Sequence, residues 1–229
     1  MGTLYIVATP IGNLEDISLR ALRILKGVDL VLCEDTRVTK KLLNYYEITV
    51  PTISYHQHSK EKKMQEVLGL LSQGKNLALV SDAGTPGIAD PGNELIDFLL
   101  KNNPETKIVP VPGPSALAAI ASIAGVSMDK FLFLGYPPHK KRRKKFFEEI
   151  VQSQHPVIFY ESPHRILKTL GELNEILRKV AVAKNHSIVV GRELTKQFET
   201  IYRGSIDKVM EMLEKGISKG EFVILVQGG

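Results

Sequence analysis

The first half of the chain alternates short apolar runs with segments whose hydrophobic residues recur at helical spacing. Uninterrupted apolar runs are typical of strands buried on both faces, and a period of 3.6 residues is typical of amphipathic helices. The alternation predicts βα units that form a parallel sheet with helices on both faces. The predicted strands span residues 3–8, 28–33, 52–55, 77–80 and 107–111, and the predicted helices span residues 16–26, 36–46, 60–72 and 94–100.

The pattern changes after Pro112-Gly113-Pro114. Residues 188–194 and 198–203 both favour strands, and because no helix fits between them they are predicted to pair antiparallel. We therefore expect two α/β domains, residues 1–114 with a mostly parallel sheet and residues 115–229 with a mixed sheet, and a ligand in the cleft between them. The other predicted elements of the second half are helices over 115–124, 144–152, 163–179 and 206–215 and strands over 131–134, 157–160 and 222–226.

Composition narrows the class of protein. Hydrophobic residues make up 43% of the 229 residues, and no apolar run approaches the roughly 18 residues that a membrane helix needs. The first apolar segment lacks a basic leader, so no signal peptide is predicted. Cys33 is the single cysteine, which excludes an internal disulfide and offers no metal cluster. We expect a cytoplasmic protein without a metal site and without a membrane association.

The formal net charge of +5 is unevenly distributed, because Lys140-Lys141-Arg142-Arg143-Lys144-Lys145 is a run of six cationic side chains. Like charges repel one another, so such a run is most stable when it is solvated or faces a polyanion. A solvated loop and a nucleic-acid contact are both compatible with this segment.

The stretch from Ser81 to Gly92 is the strongest indication of a ligand site. It follows a predicted buried strand and holds three glycines, two prolines and two aspartates. Most strand-to-helix connections take about two to six residues, and ligands of open α/β sheets bind at the carboxyl ends of the strands. A rigid structural turn is the alternative interpretation. The chain has no G-x-G-x-x-G, P-loop, G-x-S-x-G or H-E-x-x-H motif, which argues against dinucleotide dehydrogenases, P-loop NTPases, serine hydrolases and zincins.

Five segments, in order along the chain, resemble the tetrapyrrole methylase superfamily. They are Leu4-Tyr5-Ile6-Val7-Ala8-Thr9-Pro10-Ile11-Gly12-Asn13-Leu14, Glu34-Asp35-Thr36-Arg37, Ser81-Asp82-Ala83-Gly84-Thr85-Pro86-Gly87, Val111-Pro112-Gly113-Pro114-Ser115-Ala116 and Phe159-Tyr160-Glu161-Ser162-Pro163-His164-Arg165. Within the superfamily they are most similar to members that methylate the ribose 2′-hydroxyl of a cytidine in the decoding centre of 16S rRNA. The resemblance implies S-adenosylmethionine as cofactor, the small ribosomal subunit as partner and a homodimer.

The same resemblance implies which residues bind the cofactor. In the first half these are Asp82, Ala83, Gly84, Thr85, Pro86, Ile88, Ala89, Ser115 and Ala116. The candidates in the second half are Leu134, Tyr160, Glu161, Arg192 and Leu194. A glycine-rich loop suits this role because its backbone groups can approach a ligand closely, and the Asp82 carboxylate can accept hydrogen bonds from hydroxyl or ammonium groups.

Methyl transfer to a ribose oxygen requires an aligned acceptor and a base that removes the hydroxyl proton. The candidate bases are Asp35, Glu161 and Glu193, and an ion pair is the alternative interpretation of each carboxylate. The candidate RNA-binding residues are Arg37, Lys140, Lys141, Arg142, Arg143, Lys144, Lys145 and Arg165. Two other functions stay open at this point, a tetrapyrrole methylase that acts on a small molecule and a non-catalytic RNA-binding module.

Overall fold

We describe the protein from a computed structural model, in which residues 1–56, 61–90, 92–179, 187–216 and 219–227 are described. The chain forms two compact units, Met1–Ser115 and Ala116–Gly229, which we call the first and the second unit.

The first unit is built on a five-stranded sheet in which every pairing is parallel. Its strands lie in the order β3-β2-β4-β1-β5. They are β1 (Thr3–Val7), β2 (Leu30–Cys33), β3 (Thr52–Ser54), β4 (Leu77–Val80) and β5 (Lys107–Val111), and the helices are α1 (Leu19–Gly27), α2 (Thr36–Tyr45), α3 (Glu61–Ser72) and α4 (Asn93–Asn102).

Apolar residues on both faces of this sheet explain why its helices pack on two sides. On one face Ala21 and Leu25 of α1 and Leu43 of α2 share a core with Val31. On the other face α3 and α4 contribute Val67, Leu71, Leu95 and Leu99 to a second core. The central strand β4 is buried along its whole length, as expected for a strand covered on both faces.

The second unit holds a mixed sheet. Its order is β6-β7-β10-β8-β9, with β6 parallel to β7 and the other pairings antiparallel. The strands are β6 (Leu132–Phe133), β7 (Val157–Glu161), β8 (Ser187–Arg192), β9 (Thr200–Ser205) and β10 (Phe222–Val226), and the helices are α5 (Ala116–Ser122), α6 (Arg143–Gln152), α7 (Ile166–Lys179) and α8 (Ile206–Lys215).

Helices cover both faces of the second sheet as well. The helices α6, α7 and α8 form one core with inward residues of β7, β8 and β10. On the opposite face α5 approaches β8 so closely that a Cβ atom at Gly191 would lie 3.1 Å from Cδ1 of Ile120. The α/β class with one parallel and one mixed sheet, and the antiparallel pairing of β8 with β9, are therefore confirmed.

Several predicted boundaries shift for local reasons. The helix expected from residue 16 begins at Leu19, because the Ser18 hydroxyl accepts a hydrogen bond from the Ala21 N–H and caps the helix there. Residues 14–16 form a separate 3₁₀ turn. The helix expected from residue 163 begins at Ile166.

No helix in the described ranges is long and apolar enough to cross a membrane. Within the same residues, no three His, Cys, Asp or Glu side chains cluster in a way that could hold a metal ion.

Candidate functional site

Three loops meet at the carboxyl edge of the first sheet. The backbone N–H groups of Thr9 and Gly84 donate to each other's carbonyls at 2.9 and 3.0 Å. The Thr9 hydroxyl also donates to the carbonyl of Ser81, at 3.2 Å. The Thr85 hydroxyl donates to the carbonyl of Pro114 at 3.1 Å. These bonds fix residues 81–85 against the ends of β1 and β5, and we call residues 81–90 together with Gly92 the β4 loop.

Gly84 is required at its position in the β4 loop. Its φ is +83°, a conformation that side chains with a Cβ adopt only with strain. A Cβ there would also lie 3.4 Å from the Ile11 side chain. The loop backbone is therefore shaped for close approach at this edge of the sheet.

Acidic side chains from two adjacent strands converge beside this loop. Glu34 and Asp35 follow β2, and Asp82 and Asp90 follow β4, the strand next to it. The Asp35 N–H donates to Oδ1 of Asp82 at 3.0 Å, which joins the two strand ends directly. We call Glu34, Asp82 and Asp90 the acidic group.

Two members of the acidic group, Asp90 and Glu34, have raised pKa values. Burial, together with the negative charges of Glu34 and Asp82, raises the pKa of Asp90 to about 6. Burial and Asp82 also raise the pKa of Glu34 above its usual value. A positively charged ligand would relieve this repulsion, and a carboxylate with a pKa near 6 can accept a proton at neutral pH.

Asp90 lines a pocket of about 250 Å³ within the first unit. The β4 loop, the start of α4 and the residue after β3 form the wall of the pocket. The lining residues are Tyr55, Gly87, Ala89, Asp90, Gly92, Asn93 and Glu94. The Asn93 amide donates to the carbonyl of Gly87 at 2.8 Å and holds this part of the loop. The pocket offers a concave, polar surface to a small ligand.

Two of the predicted bases are held in ion pairs. Asp35 accepts three hydrogen bonds from the Arg37 guanidinium and one from the Arg37 N–H, and the guanidinium lowers the pKa of Asp35 to about 2. Glu193 pairs with Lys196 at 2.9 Å and accepts the Glu221 N–H, and the pKa of Glu193 is lowered. Carboxylates with lowered pKa values are poor proton acceptors.

The third predicted base, Glu161, lies inside the second unit with a fully buried side chain. Its oxygens accept hydrogen bonds from the Ser162 N–H at 2.6 Å and the Thr169 hydroxyl at 2.6 Å. The Arg165 guanidinium forms an ion pair with it at 2.7 Å. Because its carboxylate is bound on every side by its own unit, the structure favours the ion-pair interpretation.

Arg143 and Arg165 continue this network and do not behave as free cations. Arg143 is buried, and its guanidinium donates to Glu172 at 2.6 Å, Thr169 at 2.7 Å and the Pro138 carbonyl at 3.1 Å. Arg165 also donates to the Pro137 carbonyl at 3.2 Å. The expectation that Arg143 faces RNA is wrong, since its charge is used to anchor residues 137–143. Arg165 serves mainly the same purpose.

The other cations of the run differ among themselves. Lys140, Lys141, Arg142 and Lys145 are exposed. Lys144 is exposed but lies 3.5 Å from Glu148 of the same helix. The segment is therefore a solvated surface with one inward arginine.

The remaining candidate cofactor residues fall into three places. Ser115 and Ala116 lie after the Pro114 carbonyl that Thr85 contacts. Leu134 and Tyr160 lie on neighbouring strand ends, and the Tyr160 ring packs edge-on against Phe133. Arg192 is buried and donates to the Lys219 carbonyl at 2.7 Å, and Leu194 is buried near it. Their role toward a ligand stays a prediction.

Glu34 and Asp90 were not among the residues that the sequence singled out for chemistry. Glu34 stood in the quoted Glu34-Asp35-Thr36-Arg37 motif and Asp90 in the β4 loop. The available signal was that both follow strands of one parallel sheet, whose carboxyl ends share an edge. The adjacency of β2 and β4, which brings them together, is a property of the fold.

Comparison with known proteins places this arrangement in context. The family model "Tetrapyrrole (Corrin/Porphyrin) Methylases" matches residues 3–210. The chain is 44% identical over its whole length to "Ribosomal RNA small subunit methyltransferase I" of Synechocystis sp., covering 80% of that protein. It is 40% identical to the protein of the same name from Thermotoga maritima, covering 100% of this chain and 99% of that protein.

Solved structures agree at the level of the fold. The cobalt precorrin-4 methyltransferase CbiF superposes with a TM-score of 0.70 at 18% identity, covering 97% of this chain and 94% of that one. The methyltransferase CobJ superposes with a TM-score of 0.69 at 17% identity, covering 100% of this chain and 95% of that one.

Proposed function

This chain belongs to the tetrapyrrole methylase family, and from that premise we propose that it is an S-adenosylmethionine-dependent methyltransferase of small-subunit ribosomal RNA. The observation that carries the proposal is the acidic group beside the β4 loop, together with relatives of 40% and 44% identity that bear the name of such an enzyme.

The acidic group fits a cationic methyl donor. S-adenosylmethionine carries a sulfonium and an ammonium charge, and its ribose hydroxyls are hydrogen-bond donors. Asp82 is exposed near the start of the β4 loop, and Asp90 lines the pocket. Their carboxylates can balance positive charge and accept hydrogen bonds from hydroxyl groups, while Gly84, which has no side chain, allows close contact. We infer that Asp82 to Pro86, Ile88 and Ala89 hold the donor.

When bound, S-adenosylmethionine supplies an electrophilic methyl group. The protein's own task is then to fix the acceptor oxygen in line with that group, an effect that can reach about 7–11 kcal/mol. We assign removal of the hydroxyl proton to Asp90, because its pKa of about 6 leaves it ionised yet basic at neutral pH.

The finer proposal is that the acceptor is the 2′-hydroxyl of a cytidine in the decoding centre of 16S rRNA, which rests on the motif resemblance. Action on small subunits places the protein in the cytoplasm, and the same resemblance supports a homodimer. The decisive experiment maps ribose methylation in 16S rRNA from cells with and without this protein. A map without a difference would contradict the proposal.

We expect the variant Asp82→Asn to bind S-adenosylmethionine about 10- to 150-fold more weakly. The lost charge-assisted hydrogen bond contributes about 1.5–3 kcal/mol. Asparagine keeps an oxygen for the Asp35 N–H, so the link between the strand ends survives. Calorimetric titration measures the affinity, and Asp16→Asn, an exposed change elsewhere in the first unit, is the control. Equal affinities of wild type and Asp82→Asn would remove Asp82 from the site.

The exposed part of the cationic run is expected to contact RNA phosphates. Replacing Lys140 and Lys141 by glutamine should lower the log-log slope of RNA affinity against salt by about 1.4, since each phosphate contact on a single strand contributes about 0.7. The matched control replaces Lys179 and Lys208, which are exposed elsewhere in the second unit. Equal slopes in both double variants would indicate a solvated loop without an RNA role.

A further inference from the structure

Positive charge is concentrated on one side of the first unit. The helices α1 and α2 together carry six cationic residues and no carboxylate, whereas the formal net charge of the whole chain is only +5. They are Arg20, Arg23, Lys26, Arg37, Lys40 and Lys41, and all six are exposed. The formal charges of the rest of the protein, which includes the cationic run of the second unit, therefore sum to −1.

The two helices lie on the same face of the first sheet. Residues of α1 and α2 share one core, and the Tyr46 hydroxyl, just after α2, donates to the Leu14 carbonyl, just before α1. The helices on the opposite face are not basic, because α3 carries two lysines and two glutamates and α4 carries one lysine, one aspartate and one glutamate. The helices on the two faces of the sheet thus differ in their charge.

Most of these cations are not used to hold the fold together. Among the described residues, Arg37 is the only one of the six in an ion pair, and its partner is Asp35. Its side chain is 86% exposed. Cations that are exposed and have no carboxylates on their own helices contribute a positive potential that attracts polyanions.

An aromatic side chain completes the surface and indicates what kind of polyanion it fits. Tyr45 is 63% exposed and lies one helical turn after Lys41, on the same side of α2. Its ring is supported edge-on by Tyr46, with 4.9 Å between the ring centroids. Exposed aromatic rings next to cations are the usual platform for bases of single-stranded nucleic acid.

The surface begins where the candidate site lies. Helix α2 starts at Thr36, directly after Asp35, whose N–H binds Asp82 of the β4 loop. Lys41 and Tyr45 follow at about 6 and 12 Å along the helix axis from Arg37, given the rise of 1.5 Å per residue. A strand that enters the site could continue along α2.

We infer that the outward faces of α1 and α2 form a docking surface for single-stranded RNA, with Arg20, Arg23, Lys40 and Lys41 on phosphates and Tyr45 stacked on a base. The inference rests on the proposed function, since it names a binding surface for that substrate in the first unit. It is separate from the cationic run of the second unit.

The charge contribution is tested with Lys40→Gln/Lys41→Gln. The control Lys62→Gln/Lys107→Gln removes two exposed charges elsewhere in the first unit. Binding of a 30-nucleotide single-stranded RNA is titrated over a salt series. We expect the log-log slope to fall by about 1.4 in the first variant, from two lost contacts, and to stay at the wild-type value in the control. Equal slopes in the two variants would overturn the inference.

The stacking contribution is tested with Tyr45→Leu, which should weaken RNA binding about 5- to 150-fold without changing the salt slope. Tyr45→Phe keeps a ring and should retain most of the affinity. An affinity of Tyr45→Leu equal to wild type would overturn the stacking assignment. If the Lys40/Lys41 variant instead loses binding only to phosphatidylserine vesicles and not to RNA, the surface serves a membrane and the inference fails.

A parallel assay of methyl transfer to small ribosomal subunits separates this inference from the proposed function. If the salt slopes are as expected but the wild-type protein transfers no methyl group, the docking surface is supported and the proposed function is contradicted. If the wild-type protein transfers methyl groups but the Lys40/Lys41 variant and the Lys62/Lys107 control have equal salt slopes, only the docking surface is contradicted.

Discussion

Replacing Asp90 by asparagine should lower the rate of methyl transfer about 10²- to 10⁴-fold at neutral pH, which is the usual contribution of a positioned base. The wild-type kcat/KM should rise with pH through about 6, the pKa of Asp90 in the free protein, and then level off. The variant should lack this rise because it has no titrating carboxylate there. Initial rates measured from pH 5 to pH 8 provide both results.

The stability of the same variant distinguishes a base from a structural residue. The pKa of Asp90 is raised from 3.8 to about 6 in the folded protein, so the folded state binds the proton more tightly than the unfolded state. The ionised carboxylate therefore destabilises the fold above pH 6, and this penalty fades as pH falls toward 4. Asp90→Asn should unfold at a higher temperature than wild type at pH 7, and the difference should disappear near pH 4.

Glu94 provides the matched control for Asp90, since it lies on the same pocket but is exposed. Glu94→Gln should keep the rate and its dependence on pH. If Asp90→Asn also keeps both, another group accepts the proton and the assignment is wrong. If Asp90→Asn loses rate together with stability, the carboxylate holds the loop and does not act as a base.

Local sequence patterns are sufficient for strands that are buried throughout. The prediction for β4 and for β10 matches the structure at both ends, over Leu77–Val80 and Phe222–Val226. Both strands are buried at every residue, which favours an uninterrupted apolar run that is visible in the sequence. Helix starts were less accurate, because a cap such as Ser18 can begin a helix later than the apolar spacing indicates.

The cationic run shows what a count of charges misses. Its six residues look equivalent along the chain, yet Arg143 turns inward. The helical phase could have identified it, because Arg143 precedes Phe146, Phe147 and Ile150 by three, four and seven residues and those three side chains are buried. A charged residue on the apolar face of a helix indicates a partner that it reaches inside the fold, here the half-buried Glu172.

The β4 loop was predicted from its glycines and prolines, but its chemistry depends on residues distant in sequence. Glu34 raises the pKa of Asp90 because β2 and β4 are neighbours in the sheet. In the linear sequence 55 residues separate those two carboxylates. The strand order of the sheet determines how close the two carboxylates lie in space, and no local sequence pattern predicts that order.

Replacing Glu161 by alanine should destabilise the second unit by about 3–5 kcal/mol. That is the usual effect of removing one partner of a buried ion pair, and here it leaves the Arg165 guanidinium and the Thr169 hydroxyl without their acceptor. Residues 137–143 should loosen as well, because Arg165 and Arg143 hold the carbonyls of Pro137 and Pro138. Hydrogen exchange of the α7 amides measures the change.

Glu161→Gln separates this structural role from the catalytic role that the sequence suggested. Glutamine keeps an oxygen for Thr169 or Ser162 but gives up the charge that pairs with Arg165, so we expect a smaller loss of stability than in Glu161→Ala and a nearly normal rate of methyl transfer in the folded protein. Glu149→Ala, an exposed change on α6, should alter neither exchange nor rate. A Glu161→Gln protein with wild-type exchange and a rate lowered 100-fold or more would return Glu161 to the list of bases and contradict the assignment of that role to Asp90.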